Sequence, residues 1–448
     1  MHKILFLSFE FHPVQSTGNF RAAKFVKHLK SYGIEPIVFC GSVDDLKDYY
    51  SWGKLNNELL KDIPSDIEFF RPQFKRKYKP WSKYLQFLYY ADPVYHYWKK
   101  SAKEKLKEIF SIHPDIEAVF ATVPPFSINE LAYWISKKYK LPLILDLRDA
   151  WSDQGQVPYF TRVHYLINKF YEKRILKQAK KVVFVTKGLE KIYASSYPSV
   201  LSKSLLVYNN YDNYFFDKEI ITSFPAKEQE KFIIGYIGAF YYDVAADEIR
   251  KQKWWKRKGI KKFFYYAAQE EWIYRSPFFL FAAMEKLFKK HPHLKAKFLF
   301  GYIGNKPPWL EEMAGRFELK ENIKCYGFSN VHEIEKLVSD FNALLITTEK
   351  IPGNQSFCLP SKMFDYIKFG KPLIGFVKEG DLKNFLLLSN MSVIVDPDKI
   401  NEESELAKLE SFVNEKKVFT PDISYINTYK TEYQTALLAE GIISAIES

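Results

Sequence analysis

Short runs of apolar, β-branched and aromatic residues alternate along the chain with stretches of helical periodicity. In the first half the runs predict strands at Lys3–Phe9, Pro36–Cys40, Ala118–Thr122, Leu143–Leu147, Val182–Val185 and Leu205–Tyr208. Helical patterns fall between them at Asn19–Tyr32, Ser101–Phe110, Ser127–Tyr139 and Val163–Gln178. A polar stretch near Asp212–Glu230 follows, and the alternation restarts at Phe232–Gly238. It continues through Ala296–Phe300, Ile323–Tyr326, Ala343–Thr347, Leu373–Val377 and Ser392–Val395. Strands alternating with helices imply parallel sheets covered on both faces. Two such series imply an α/β protein of two doubly wound, Rossmann-like domains, at 1–211 and 212–424. The tail, 425–448, reads as a helix over Tyr425–Ile446 that returns to the first domain. Ligands of such sheets bind beyond the carboxyl ends of the strands, so a cleft faced by both domains is the expected site.

Composition narrows the class. The 448 residues are 47% hydrophobic and 18% aromatic, which excludes a disordered or collagen-like chain. Cys40, Cys325 and Cys358 are too scattered for a disulfide framework or a zinc pattern, and point to a reducing, cytoplasmic setting. No apolar run reaches the roughly 18–20 residues that span a bilayer. The start, Met1–Ser8, lacks a small-residue cleavage site and does not read as a signal peptide. Lys and Arg number 66 against 53 Asp and Glu, a formal charge of +13, and the excess is concentrated. Arg71–Lys100 interleaves lysines and arginines with Phe74, Tyr78, Trp81, Tyr84 and Trp98. Arg250–Arg275 does the same with Trp254, Trp255, Phe263 and Tyr265. Three readings fit that mixture: an anionic membrane surface, single-stranded nucleic acid, or a solvated basic face over core aromatics. The absence of any nucleic-acid recognition motif speaks against the second.

Several loops carry candidate chemistry. The first strand leads into Phe11–Arg21, where Gly18 and Asn19 open a helix and present backbone N–H groups to an anion or sugar hydroxyl. This is not the dinucleotide fingerprint, which disfavours a nicotinamide or flavin enzyme. Thr122-Val123-Pro124-Pro125 follows the third predicted strand, with Ser127 placed to cap the next helix. Asp146-Leu147-Arg148-Asp149 puts three ionisable groups at a strand end, either for a ligand or as an internal Asp–Arg pair. The most specific run is Leu359–Leu373. Ser361 and Lys362 begin a helix whose dipole favours phosphate, and Lys362 and Asp365 share one face. A cation for phosphate beside a carboxylate for a ribose diol suits a nucleotide.

With these motifs the chain resembles the GT-B glycosyltransferases, and within them the family-4-like bacterial group. The resemblance rests on Phe11–Arg21, Thr122–Pro125, Asp146–Trp151, Asn210–Asp212, Gly235–Tyr241 and above all Pro360–Pro372. It implies that Lys362 and Arg275 neutralise a donor diphosphate, Asp365 binds ribose hydroxyls, and Gly238 lets the backbone approach the nucleotide. Gly18 and Asn19, with Thr122 and Arg148, would line the sugar and acceptor side, and Asp149 would act on the acceptor. Many relatives carry two glutamates eight positions apart. Here Asp365 stands for the second and Phe357 for the first, leaving Gln355 and Ser356 to contact the donor sugar.

The expected function is transfer of a sugar from a nucleotide-sugar donor to a hydroxyl acceptor in cell-surface polysaccharide or lipid-linked glycan synthesis, and the resemblance implies no cofactor and no essential metal. Asp396-Pro397-Asp398 resembles a metal-binding D-x-D but reads as a loop. The partners expected are the nucleotide sugar, the acceptor and an anionic membrane, with no nucleic acid, at the cytoplasmic face. The rivals are a nucleotide-sugar epimerase of the same fold and a non-catalytic basic scaffold.

Overall fold

The computed structural model describes the chain except residues 16, 51–53, 76–91, 156–157, 213–230, 330 and 416–418. It forms two compact units. The first comprises 1–210, 258–268 and 429–448, and the second 211–257 and 269–428.

The first unit is built on strands β1 (His2–Leu7), β2 (Ile34–Phe39), β3 (Phe69–Phe70), β4 (Ile116–Val123), β5 (Leu143–Leu147), β6 (Lys181–Phe184) and β7 (Ser204–Leu206). Their spatial order is β3-β2-β1-β4-β5-β6-β7, parallel throughout. The second is built on β8 (Phe232–Ile237), β9 (Phe298–Ile303), β10 (Ile323–Gly327), β11 (Ala343–Thr347), β12 (Leu373–Phe376) and β13 (Ser392–Val395). Their order is β10-β9-β8-β11-β12-β13, again parallel. Each sheet therefore reverses its winding beside its first strand, between β1 and β4 and between β8 and β11. Those switch points leave an opening at the strand ends where a ligand can enter.

The helices that matter here are α1 (Thr17–Leu29), α2 (Val94–Ile112), α3 (Ile128–Tyr139), α4 (Arg162–Gln178), α5 (Ser361–Lys368) and α6 (Thr431–Glu447). The first core joins Ile4, Phe6, Val26, Ile34 and Val38 to Leu438, Ala439, Ile442 and Ala445 of α6. Each such aliphatic burial is worth about 1.5–3 kcal/mol for the larger side chains. The tail is two helices, not one: Ile423–Asn427 and α6 are separated where the chain passes from the second unit to the first. Tyr429 packs on Tyr208 with ring centres 5.0 Å apart, and Thr431 donates to Asn210 at 3.0 Å.

The first basic–aromatic stretch is largely outside the described residues; Lys99 and Lys100 are exposed, whereas Trp98 and Arg71 turn inward. Trp98 is buried on α2, donates to the Pro72 carbonyl at 2.7 Å and packs on Phe9 and Phe39. Arg71 donates to the carbonyls of His12 and Gly41 at 2.6 and 3.2 Å. Ser127 does not cap α3 with its side chain; its hydroxyl donates to Asp92 and accepts from the Tyr95 N–H at 3.0 Å. Asp92 also accepts from the backbone of Ser127 at 2.9 Å and of Val94 at 3.0 Å, so this pair joins α2 to α3.

Candidate functional site

At the switch point of the second sheet, β8 runs into Gly238, whose φ of +94° lies in the left-handed region that side chains disfavour. A Cβ at this position would meet only the Lys362 ammonium, 3.9 Å away. Lys362 comes from the first turn of α5, which has no side-chain cap at its N-terminus. Its Nζ donates to the Tyr236 hydroxyl and, at 3.2 Å, to the Ala239 carbonyl, and lies 4.1 Å from the centre of the Tyr236 ring. The helix is fixed to the strand end by Tyr366, whose hydroxyl accepts from the Ile237 N–H at 2.9 Å. Burial, with the Arg275 charge adding to it, pulls the Lys362 ammonium down to about 7. Ser361 stands at the same helix start, while Asp365 projects from α5 as an exposed carboxylate 3.9 Å from Lys368.

Arg275 is differently placed. Its guanidinium pairs with Glu349 at 3.1 Å and Glu270 at 3.5 Å, both buried carboxylates. Burial raises the Glu270 carboxyl above its ordinary range. Glu349 follows β11 at the switch point and accepts a 2.8 Å hydrogen bond from Ser356. Ser356 is thus buried and engaged with Glu349, whereas Gln355 is exposed on the preceding loop. Of the two cations expected at the diphosphate, Lys362 has no ion pair among the described residues and Arg275 has two. The two aspartates of Asp396-Pro397-Asp398 both engage Lys378, at 2.8 and 3.0 Å, and Asp398 also pairs with Lys350 at 3.0 Å.

The switch point of the first sheet holds a second constellation. Arg21, from α1, grips Asp146 with two bonds of 3.0 and 2.8 Å and donates to the carbonyls of Tyr208 and Val207. Thr122 is buried and its hydroxyl completes Asp146 at 2.7 Å. The partner of Asp146 is therefore Arg21, not the neighbouring Arg148. Arg148 instead braces two segments, donating to the carbonyls of Gly18 at the start of α1 and of Pro124 and, at 3.1 Å, Val123 at the end of β4. The backbone is crowded at Gly18: a Cβ there would run into the Glu10 carboxylate and the Arg148 guanidinium. Tyr50 donates to that same Glu10. Asn19 is fully buried, and its amide donates to the Val14 carbonyl, closing the turn before α1. Asp149 stands exposed just beyond the end of β5.

Sequence reasoning passed over Glu10, Arg21, Glu270 and Glu349. For Glu10 and Glu349 a signal was present, since each is an acid just beyond the end of a buried strand, where a carboxylate needs a reason. For Arg21 and Glu270 the partners lie far away in sequence, and spacing gives no cue.

No family model and no curated protein sequence matches the chain. Solved structures do. The apo form of the lipopolysaccharide outer core galactosyltransferase WaaB is 14% identical, with a TM-score of 0.56, over 99% of both chains. A glycosyltransferase from Rickettsia africae is 14% identical with a TM-score of 0.53, over 100% of this chain and 98% of its own. WaaG, a glycosyltransferase involved in lipopolysaccharide biosynthesis, is 12% identical with a TM-score of 0.51, over 99% and 98%. At such identities the likeness establishes the fold: two Rossmann-like units, as in GT-B glycosyltransferases.

Proposed function

We propose that this chain is a glycosyltransferase of the family-4-like GT-B group, moving a hexosyl or related sugar from a nucleotide donor to a hydroxyl of a glycan or lipid-linked acceptor. The observation that carries the reading is the Lys362 ammonium, which stands over Gly238 at the switch point of the second sheet and forms no ion pair among the described residues. In the transfer the bond from the anomeric carbon to the diphosphate oxygen breaks and a bond to the acceptor oxygen forms. The acceptor proton passes to a base and the diphosphate leaves with its added charge. Lys362 and the uncapped start of α5 at Ser361 stabilise that charge, which is where such a site lowers the barrier. Glu349 and Glu270 hold the Arg275 guanidinium in place beside them. Asp365 takes the ribose hydroxyls. This charge balance needs no metal ion. On the acceptor side, Asp149 is the exposed carboxylate offered to the hydroxyl, and Arg148 fixes the loops of Gly18 and Pro124 around it. Retention of configuration belongs to the same reading and is supported only by the family resemblance.

The test is a thermal-shift screen of nucleoside diphosphates and nucleotide sugars, followed by product analysis. A ligand that binds the folded state raises the melting temperature by mass action. Transfer is expected to release nucleoside diphosphate only when an acceptor is supplied. Interconversion of the nucleotide sugar without an acceptor would point to epimerisation, and no response to any nucleotide would overturn the reading.

A further inference from the structure

Beyond Gly238 the second unit makes a long excursion before its next sheet-covering helix. The chain leaves at Ala239, whose carbonyl accepts from Lys362, and comes back at Arg275, which pairs with Glu349. Both ends of the excursion are therefore fastened to the candidate donor site. Its first arm is the helix Val244–Lys251, capped by the Asp243 side chain, followed by the single 3-10 turn Trp254–Lys256. That turn holds two indoles out into solvent. Trp254 and Trp255 are 62% and 55% exposed, with ring centres 5.8 Å apart and planes at 89°.

Tryptophans on a loose loop would carry little meaning, but this turn is braced. Arg257 is buried, and its guanidinium donates to the carbonyls of Ile249, Gln252 and Arg250 at 3.1, 3.2 and 3.4 Å. The Arg257 N–H closes on the Trp254 carbonyl at 3.3 Å, and the Lys256 N–H on the Lys253 carbonyl at 2.9 Å. Arg250 lies 4.0 Å from the centre of the Trp272 ring and donates to the Glu270 carbonyl at 3.0 Å. A guanidinium is costly to bury unless its donors are used, and here they fix the backbone that presents the two rings.

Charge narrows what those rings meet. Lys251 is paired with Asp247 at 2.6 Å. Lys253 and Lys256 are exposed and have no ion pair among the described residues. The Lys253 ammonium stands 5.2 Å from the centre of the Trp255 ring. No acid occurs from Ile249 to Gln269.

We propose that the Trp254–Trp255 turn, with Lys253 and Lys256, is a binding platform for an acidic glycan, a chain of sugar rings bearing carboxylate or phosphate groups. The proposal rests on the transferase reading and makes this chain the acceptor class. A pyranose offers a face of C–H bonds ringed by hydroxyls, which lies flat on an indole, and lysines beside the indoles take the acid groups. Perpendicular rings engage successive sugars of a chain that turns. A bilayer asks for an apolar surface continuous enough to enter the headgroup boundary, whereas Lys251–Arg257 contains no aliphatic residue. Single-stranded nucleic acid could use the same stacking and cations, but the attachment of both ends of the excursion to the donor site favours the glycan.

The experiment is calorimetry of the full chain, at low and high salt, with hyaluronan oligosaccharides, a phosphomannan oligosaccharide, a neutral dextran oligosaccharide and oligothymidylate. Vesicles of phosphatidylglycerol are tested by co-sedimentation. At least one acidic glycan is expected to bind about tenfold or more tightly than dextran, with part of the difference lost as salt is added. Trp254→Ala with Trp255→Ala should weaken that binding about tenfold at either salt. Lys253→Gln with Lys256→Gln should bring it down to the affinity for dextran and remove the salt dependence. Circular dichroism melts and titration with a nucleoside diphosphate accompany every variant, and both should stay unchanged. A wild-type chain that binds the acidic glycan but no nucleoside diphosphate leaves the platform standing and counts against the transferase reading alone. Failure to bind either acidic glycan overturns the proposal, as does glycan binding that the tryptophan variant leaves intact. Tighter binding of oligothymidylate or of the vesicles, lost in that same variant, overturns it as well.

Discussion

At pH 7 an ammonium whose pKa has been pulled to about 7 is about half protonated, so Lys362 gains charge when a diphosphate arrives. The bound anion raises that pKa, and binding therefore takes up a proton. Affinity should be highest below pH 7 and weaken as pH rises above it, by at most about tenfold per unit. Lys362→Arg, whose guanidinium stays charged, should flatten the profile, and calorimetry across pH 6–9 checks this. If the two profiles coincide, Lys362 is not a diphosphate ligand. Lys362→Ala should weaken binding by about 10–100-fold, the value of a charge-assisted hydrogen bond. Asp149 invites the opposite comparison. Asp149→Asn should lower stability by about 1 kcal/mol, the ordinary cost of a point change, as read from a urea titration. A much larger fall in turnover at unchanged nucleotide affinity would mark it as the group that acts on the acceptor. An equal loss of both would mark it as structural.

Among elements, the fork from α1 to β5 offers a clean contrast. Asp146→Asn removes one charge of a buried pair and should cost about 3–5 kcal/mol. Thr122→Val removes one hydrogen bond to a carboxylate that keeps its fork, and should cost about 1–2 kcal/mol. Urea titrations of both variants measure the difference, and equal costs would contradict the geometry. The central strands were legible because burial on both faces writes them as continuous apolar runs; Leu143–Leu147 and Ala343–Thr347 fall where the pattern puts them. Phe69–Phe70 was not, since two edge residues carry no periodicity. Charge and aromatic content alone could not place the first basic stretch, where Trp98 and Arg71 turn inward. Helical periodicity runs unbroken through Thr428–Lys430, and only the crossing between units shows why the helix stops there. At the candidate site, α5 and Gly238 were legible from motif, and Arg148 was legible as a position but not as a loop brace. The Glu349–Arg275 and Asp146–Arg21 pairs depend on residues far apart in the chain, which local spacing cannot join.

For the whole molecule, the first unit depends on a segment made after the second. Removing Thr431–Ser448 would strip Leu438, Ala439, Ile442 and Ala445 from its core. Limited proteolysis of that truncated chain should cut first within 1–210, while the 269–428 part resists. Equal resistance of both parts would show that α6 is dispensable. The same arrangement sets an order in time. A nascent chain that has released Asn210 must still grow by roughly 240 residues before α6 exists, about 10–50 s at common elongation rates. During that interval the strands of the first sheet stand translated but uncovered along the groove that α6 will fill, and by its end the later unit has gained all of its own residues. Quality control by chaperones should therefore act on the amino-terminal half of the newborn chain, and the final helix is the latch whose arrival ends their hold.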